Sequence, residues 1–200
     1  MNRESWLTEA VNKLRPDFDR LGFPLPGGIR VTCGWPSKSA LSAKRKRVGE
    51  CWSPDCSKDG HHEIFISPCL ADPVEALGVL VHEAVHAAVG VEAGHKGPFR
   101  DCAVAIGLEG KMTSTTVGDA LKVRLEEIIE EIGDYDHAEL DKLKSNAPPK
   151  QGTRMLLVKC PKCQYQVRTT KKWLGVGVPT CPCGMLMEAE DNEERTDGDE

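Results

Sequence analysis

The sequence has no run of eighteen apolar residues, which excludes a membrane-spanning helix as its organising feature. Its opening stretch, Met1-Asn2-Arg3-Glu4-Ser5-Trp6, is polar where a secretory signal needs an apolar core, so the expectation is a cytoplasmic protein. Aromatic residues are scarce, at 5%. With 40% hydrophobic side chains in 200 residues, the chain can bury one modest core and carry at most a small satellite module. An even set of cysteines is also missing. Nine thiols cannot all pair, which argues against a secreted disulfide framework and leaves metal ligation as the use for some of them.

Charge of one sign is absent from most of the chain and concentrated at its end. The net charge of −5 hides a segment, Glu188 to Glu200, with eight acidic residues against Arg195 alone, while the remainder is slightly basic. That segment has almost no apolar content to offset ordering entropy, and disorder is expected for residues 188–200.

Trp6, Leu7, Ala10, Val11, Leu14 and Phe18 recur at three- and four-residue spacing and predict a first helix, which Phe23-Pro24-Leu25-Pro26-Gly27-Gly28 breaks. Ile29 to Thr32, Val48 to Trp52 and Glu63 to Ser67 are short β-forming runs between turn residues, and they predict a small antiparallel sheet. Asp72, Pro73 and Glu75 have the arrangement of a helix start, with an N-cap, a first-turn proline and a capping-box acid; the helix should run to about Gly90. Further helices are expected after Gly97-Pro98 and over Val117 to Ile132. The fold class is α+β. The Pro-, Gly- and polar-rich residues 146–152 mark a linker between a body at 1–145 and a cysteine-bearing module at 153–187.

The second of these helices carries His82-Glu83-Ala84-Val85-His86. Four residues apart, His82 and His86 share one helix face and can reach a single divalent ion. Glu83, one step round from His82, can take a proton from zinc-bound water, whose pKa the ion has already lowered. The opposite stripe, Leu77, Leu80, Val81, Ala84, Val85 and Ala88, is apolar enough to be buried. A catalytic zinc normally has three protein ligands and one open position. His95 is the first choice for the third. It lies too far along a continued helix, but Gly90 and Gly94 allow the chain to turn back. Glu92 and Glu109 are the alternatives, with Val89 standing where a glycine precedes the third ligand of metzincin-type motifs.

Cys160-Pro161-Lys162-Cys163 and Cys181-Pro182-Cys183-Gly184 are separated by seventeen residues, close to the two-knuckle pattern of a structural four-cysteine zinc site. The second knuckle is one residue short, so its turn must be tight, and Gly184 suits that. No histidine follows His137 to serve as a ligand instead. Such a closed site has a structural use rather than a catalytic one. From Thr153 to Met187 there are six Lys or Arg residues and no acid, with Tyr165 and Trp173 interleaved. Arg168, Lys171, Lys172 and Trp173 are the candidate nucleic-acid contacts, cations for phosphate and an aromatic for a base; a solvated basic face is the competing reading.

The run His82, Glu83, x, x, His86, then His95-Lys96-Gly97-Pro98-Phe99, resembles the SprT-like zinc metallopeptidases, including the Spartan relatives that process proteins crosslinked to DNA. With the cysteine module it is similar to the actinobacterial and phage members that end in a zinc ribbon. The resemblance implies a zincin-like metallopeptidase domain, zinc on His82, His86 and His95, Glu83 as general base, and Phe99 packed to position His95. It implies two zinc ions, one catalytic and one structural, and a protein or peptide substrate. It places the protein in the cytoplasm, the host's if a phage encodes it. The function expected is hydrolysis of peptide bonds, with nucleic acid a candidate partner through the ribbon and no membrane partner. The alternative is a non-enzymatic zinc-dependent adaptor.

Lesser candidates are Lys44-Arg45-Lys46-Arg47 as a phosphate-contacting loop, and Cys51, Cys56, His61 and His62 as a further metal site. Tyr135 or His137 could stabilise an oxyanion, and Met112 could form a floor beneath the metal. For each of these, a solvated charge run, ordinary thiols and surface histidines, or core packing is the simpler use.

Overall fold

A computed structural model of the chain describes residues 1–40, 47–141 and 155–189. The chain divides into two compact units, residues 1–145 and 146–200. Lys44, Arg45, Lys46, Arg154, the linker 146–152 and the tail from residue 190 lie outside the described residues.

In the first unit, α1 (Arg3–Arg20) starts at Asn2, whose side chain accepts the Ser5 backbone N–H, and buries Trp6, Leu7, Ala10, Val11, Leu14 and Phe18. Three strands follow: β1 (Ile29–Cys33), β2 (Gly49–Trp52) and β3 (His62–Ile66). They lie in the order β1-β3-β2, with β1 parallel to β3 and β2 antiparallel to it. The sheet is therefore mixed, which corrects the antiparallel expectation. Alternation of apolar residues says which face of a strand is buried but nothing about its direction. Here β2 turns back onto β3 as a hairpin, while β1 reaches β3 only through a long crossover.

The sheet faces α1 and α2 (Pro73–Val89) through Val31, Cys51, Ile64 and Ile66, all buried. Asp72 caps α2 by accepting the Glu75 N–H at 2.7 Å, and Pro73 occupies its first turn. This helix is the centre of the body. Ala76, Leu77, Leu80, Val81, Ala84 and Val85 are fully buried, each large one contributing about 1.5–3 kcal/mol by leaving water. After α2 come α3 (Pro98–Ile106), a hairpin of β4 (Leu108–Lys111) and β5 (Ser114–Val117), and α4 (Asp119–Ile132). The buried Asp17 of α1 accepts from Arg124 Nε of α4 at 2.9 Å, and Trp6 Nε1 donates to Gly133 O at 2.7 Å. These two bonds hold α4 to α1.

The second unit is a three-stranded sheet, β6 (Met155–Lys159), β7 (Gln166–Thr170) and β8 (Glu188–Ala189), in the order β7-β6-β8, with a short α5 (Lys171–Leu174). Glu188 and Ala189, which composition assigns to the disordered tail, instead pair with Lys159 and Val158. A backbone ladder needs no apolar side chains, and the buried Met187 just before them anchors the strand.

One contact fixes the hairpin against α2. A Cβ on Gly78 would lie 2.5 Å from Val117 Cγ2, so β5 packs directly on the helix backbone. Alanine is the better helix former by about 1 kcal/mol, but overpacking costs about 1–3 kcal/mol. Gly78→Ala should therefore destabilise the chain by about 1 kcal/mol in urea unfolding. A stabilised variant would show that this contact does not set the packing.

Candidate metal centres

His82 and His86 project from one face of α2, and a turn brings His95 to meet them. The single turn Val91–Ala93 ends at Gly94 (φ 57°, ψ −133°), and Gly97 (φ 49°, ψ −119°) starts α3. Both lie in positive-φ regions that residues with a Cβ rarely adopt. His82 Nε2 and His86 Nε2 lie 3.2 and 3.3 Å from His95 Nε2. Three nitrogens at Zn–N lengths of about 2.0–2.1 Å in a tetrahedron would be about 3.3 Å apart. The single in-plane lone pair of one imidazole nitrogen cannot serve two such neighbours as hydrogen-bond donors, so the spacing suits an ion better than it suits hydrogen bonds. Phe99, fully buried on α3, packs on all three rings at 4.4–5.0 Å between centroids.

Burial holds the imidazoles neutral, the form a metal ion requires. It lowers His82 to about 4, with His95 adding to the effect. It lowers His86 to about 3, with further lowering from His82, His95 and the Arg47 guanidinium. His95 is lowered by burial and then by Arg47. The other nitrogen of His82, Nδ1, lies 2.9 Å from Thr115 Oγ1 on β5, a contact that holds the ring's orientation. Gly78 and His82 are one helical step of four residues apart, and Val117 and Thr115 one strand step of two. These advances are about 6 and about 7 Å, so the Gly78 contact brings Thr115 level with His82. His86 Nδ1 is buried and has no hydrogen-bond partner among the described residues.

Glu83 lies on the flank of this face that meets β2. A Cβ on Gly49 would fall 2.5 Å from both Glu83 Oε1 and Val79 Cγ1, so only glycine lets the strand come this close. Burial pushes the Glu83 carboxyl up to about 8, and the Arg47 guanidinium and the Cys51 backbone N–H act against that. A divalent cation on the adjacent histidines would favour the carboxylate strongly.

In the second unit, the sulfurs of Cys160, Cys163, Cys181 and Cys183 all lie within 4.8 Å of one another. Cys160 to Cys183 is 3.6 Å and Cys163 to Cys181 is 3.4 Å, near the roughly 3.8 Å edge of a tetrahedral zinc–thiolate site with Zn–S of about 2.3 Å. Each knuckle closes with a positive-φ residue straight after its second cysteine, Gln164 (φ 63°) and Gly184 (φ 85°). The second does so despite being one residue shorter. Backbone N–H groups of Cys163 and Lys162 point at Cys160 and lower its thiol to about 6. Four-sulfur and three-nitrogen groups of this kind are donor sets that zinc takes readily. Arg168, Lys171, Lys172 and Trp173 are exposed, with Lys172 Nζ 5.2 Å from the Trp173 ring centroid.

The remaining candidates fall outside the two centres. Glu92 and Glu109 do not join the histidines: Glu92 acts electrostatically on His62, and the Glu109 carboxylate packs on Gly118. Among the described residues, Cys51, Cys56, His61 and His62 form no metal-holding group; Cys51 is buried beside Glu83, and His61 Nδ1 lies 3.1 Å from Asp59 O. Tyr135 stacks on Trp6, and His137 sits between Arg3 and Pro68 O. Met112 packs, partly buried, on the main core. Thr115, Gly49 and Gly78 had no signal in the sequence, because each matters only through a neighbour distant along the chain.

No family model matches this chain, and neither a curated protein nor a solved structure matches it.

The full chain should bind two zinc ions by elemental analysis, with His86→Ala losing one and Cys163→Ser the other. Thr115→Val should keep both but weaken the histidine site about 10–100-fold in a chelator competition, the range for losing an outer-shell partner. An unchanged affinity would remove Thr115 from the site.

Proposed function

We propose that the chain is a zinc-dependent peptidase with a zincin-like body of the SprT-like kind and a structural zinc ribbon, acting in the cytoplasm. The observation that carries this reading is the meeting of three imidazoles, with the His82 and His86 Nε2 atoms 3.2 and 3.3 Å from that of His95, beside the buried Glu83 carboxylate on the helix that bears His82 and His86. Among the described residues no helix is long and apolar enough to cross a membrane.

His82, His86 and His95 would hold the catalytic ion, which supplies Lewis acidity and lowers the pKa of water when bound. Glu83 is the general base: it takes the proton of the water that attacks the peptide carbonyl and returns it to the departing amine. The edge strand β2 holds it in place, with Gly49 leaving room for the carboxylate and the Cys51 N–H directed at it. Phe99 packs on all three rings and supports their arrangement.

Glu83→Gln tests this. On a fluorogenic peptide library and unfolded casein, turnover should fall about 10²–10⁴-fold, the usual contribution of a general base, with two zinc ions retained. Equal cleavage by the variant and by the zinc-stripped chain on the one hand, and by the wild type on the other, would end the proposal. A wild type that cleaves nothing but binds a partner equally well with Glu83→Gln would favour the adaptor.

The ribbon offers a nucleic-acid surface. Trp173 is 58% exposed with Lys172 beside it, and stacking on such a ring contributes about 1–3 kcal/mol per base. The full chain should bind a single-stranded oligonucleotide in a salt-dependent way, and deletion of residues 153–187 should abolish this. Absence of binding at low salt would leave the peptidase without a nucleic-acid role.

A further inference from the structure

Addition of water to a peptide carbonyl breaks the C=O π bond and moves its electron pair onto oxygen, while the water proton goes to Glu83. Collapse then breaks the C–N bond and the amine leaves with that proton. The oxygen carries negative charge in between, and preorganised donors or cations aimed at such an oxygen supply a large part of catalysis. Tyr135 and His137 have suitable chemistry but lie against α1 and the β3–α2 connection.

Arg47 is placed for the task. It stands two residues before Gly49, so its backbone is at most about 7 Å from the point where β2 touches the Glu83 carboxylate. That is within the reach of an arginine side chain. Its charge acts on Glu83, His86 and His95 alike. Thr115 stands on the His82 side of the histidine cluster.

The guanidinium is held from one end. Its Nη1 donates to Glu50 Oε1, and Glu50 is itself fixed by the Ser37 N–H at 2.8 Å, the Ser37 hydroxyl at 2.7 Å and Trp52 Nε1 at 3.0 Å. The Arg47 N–H donates to Ser39 O at 3.3 Å. The Glu50 side chain is 11% exposed and that of Arg47 48%, so a half-buried carboxylate orients an accessible cation. Nε and Nη2 make no hydrogen bond among the described residues. A planar fork can keep Glu50 on one edge and present the other to a carbonyl oxygen, which a lysine ammonium cannot reproduce.

We propose that Arg47 donates to the carbonyl oxygen of the scissile peptide bond and stabilises the charge that develops there, with Glu50 as its positioning residue. This rests on the peptidase reading above.

The test uses the full zinc-loaded chain, a fluorogenic peptide that the wild type cleaves, and the phosphinic analogue of that peptide, whose anionic tetrahedral centre imitates the charged oxygen. Arg47→Ala should lower kcat about 10²-fold with KM within about twofold, and raise the Ki of the phosphinic peptide by the same factor as kcat/KM falls. Zinc content should stay at two per chain. Arg47→Lys should recover part of the loss. Glu50→Gln, which keeps the cation but loosens its hold, should fall between wild type and Arg47→Ala. The inference is overturned by unchanged kcat and Ki, by a rise in KM alone, or by lost oligonucleotide binding with intact turnover. If the wild type neither cleaves the library nor binds phosphinic peptides, the peptidase reading itself fails, and Arg47 loses this role with it.

Discussion

The body of the protein has to keep three polar side chains on a helix that is buried on almost every side. Burying an ionisable group without a partner is costly, and α2 carries His82, Glu83 and His86 within five residues. The surrounding elements are arranged around that difficulty. Phe99 and His95 come from the turn and helix that follow, Thr115 from the hairpin, and Gly49 and Cys51 from the edge strand. The strand and the hairpin come close enough that a side chain at Gly49 or Gly78 would obstruct them.

The same crowding sets the electrostatics. Burial favours neutral imidazoles, the form a metal takes, and raises the Glu83 carboxyl. Arg47 opposes the effect on Glu83 while it strengthens the effect on His86 and His95. One cation thus favours an ionised Glu83 and neutral histidines at once. The half-buried Glu50 that orients it extends the arrangement into the outer face of the sheet.

Much of this could be read from spacing alone. The helix carrying His82 and His86, its Asp72 cap, the glycine-permitted turn towards His95 and the two cysteine knuckles are local patterns, and local patterns survive without knowledge of the fold. Strand direction does not, because β1 pairs with a strand about thirty residues further on and its apolar alternation would be the same in either sense. The β4–β5 hairpin gave little signal, with exposed and polar residues over most of its length. Thr115, Gly49 and Arg47 matter only through contacts across the fold. An unremarkable threonine and a strand glycine have no chemistry of their own to mark them out, and the basic run that ends at Arg47 suggests phosphate rather than the histidine site.

The interior of the cysteine unit is small. Val158, Cys160, Cys181 and Met187 form its buried cluster, with Val167 and Leu174 beside them, so two of its four innermost residues belong to the sulfur group. The other unit has a large apolar interior of its own. If both groups hold an ion, as proposed, losing metal would act on the two units in different ways: the cysteine unit would lose the centre of its small interior, whereas the other would keep its apolar core. Restoring metal would then require refolding in the first and simple loading in the second.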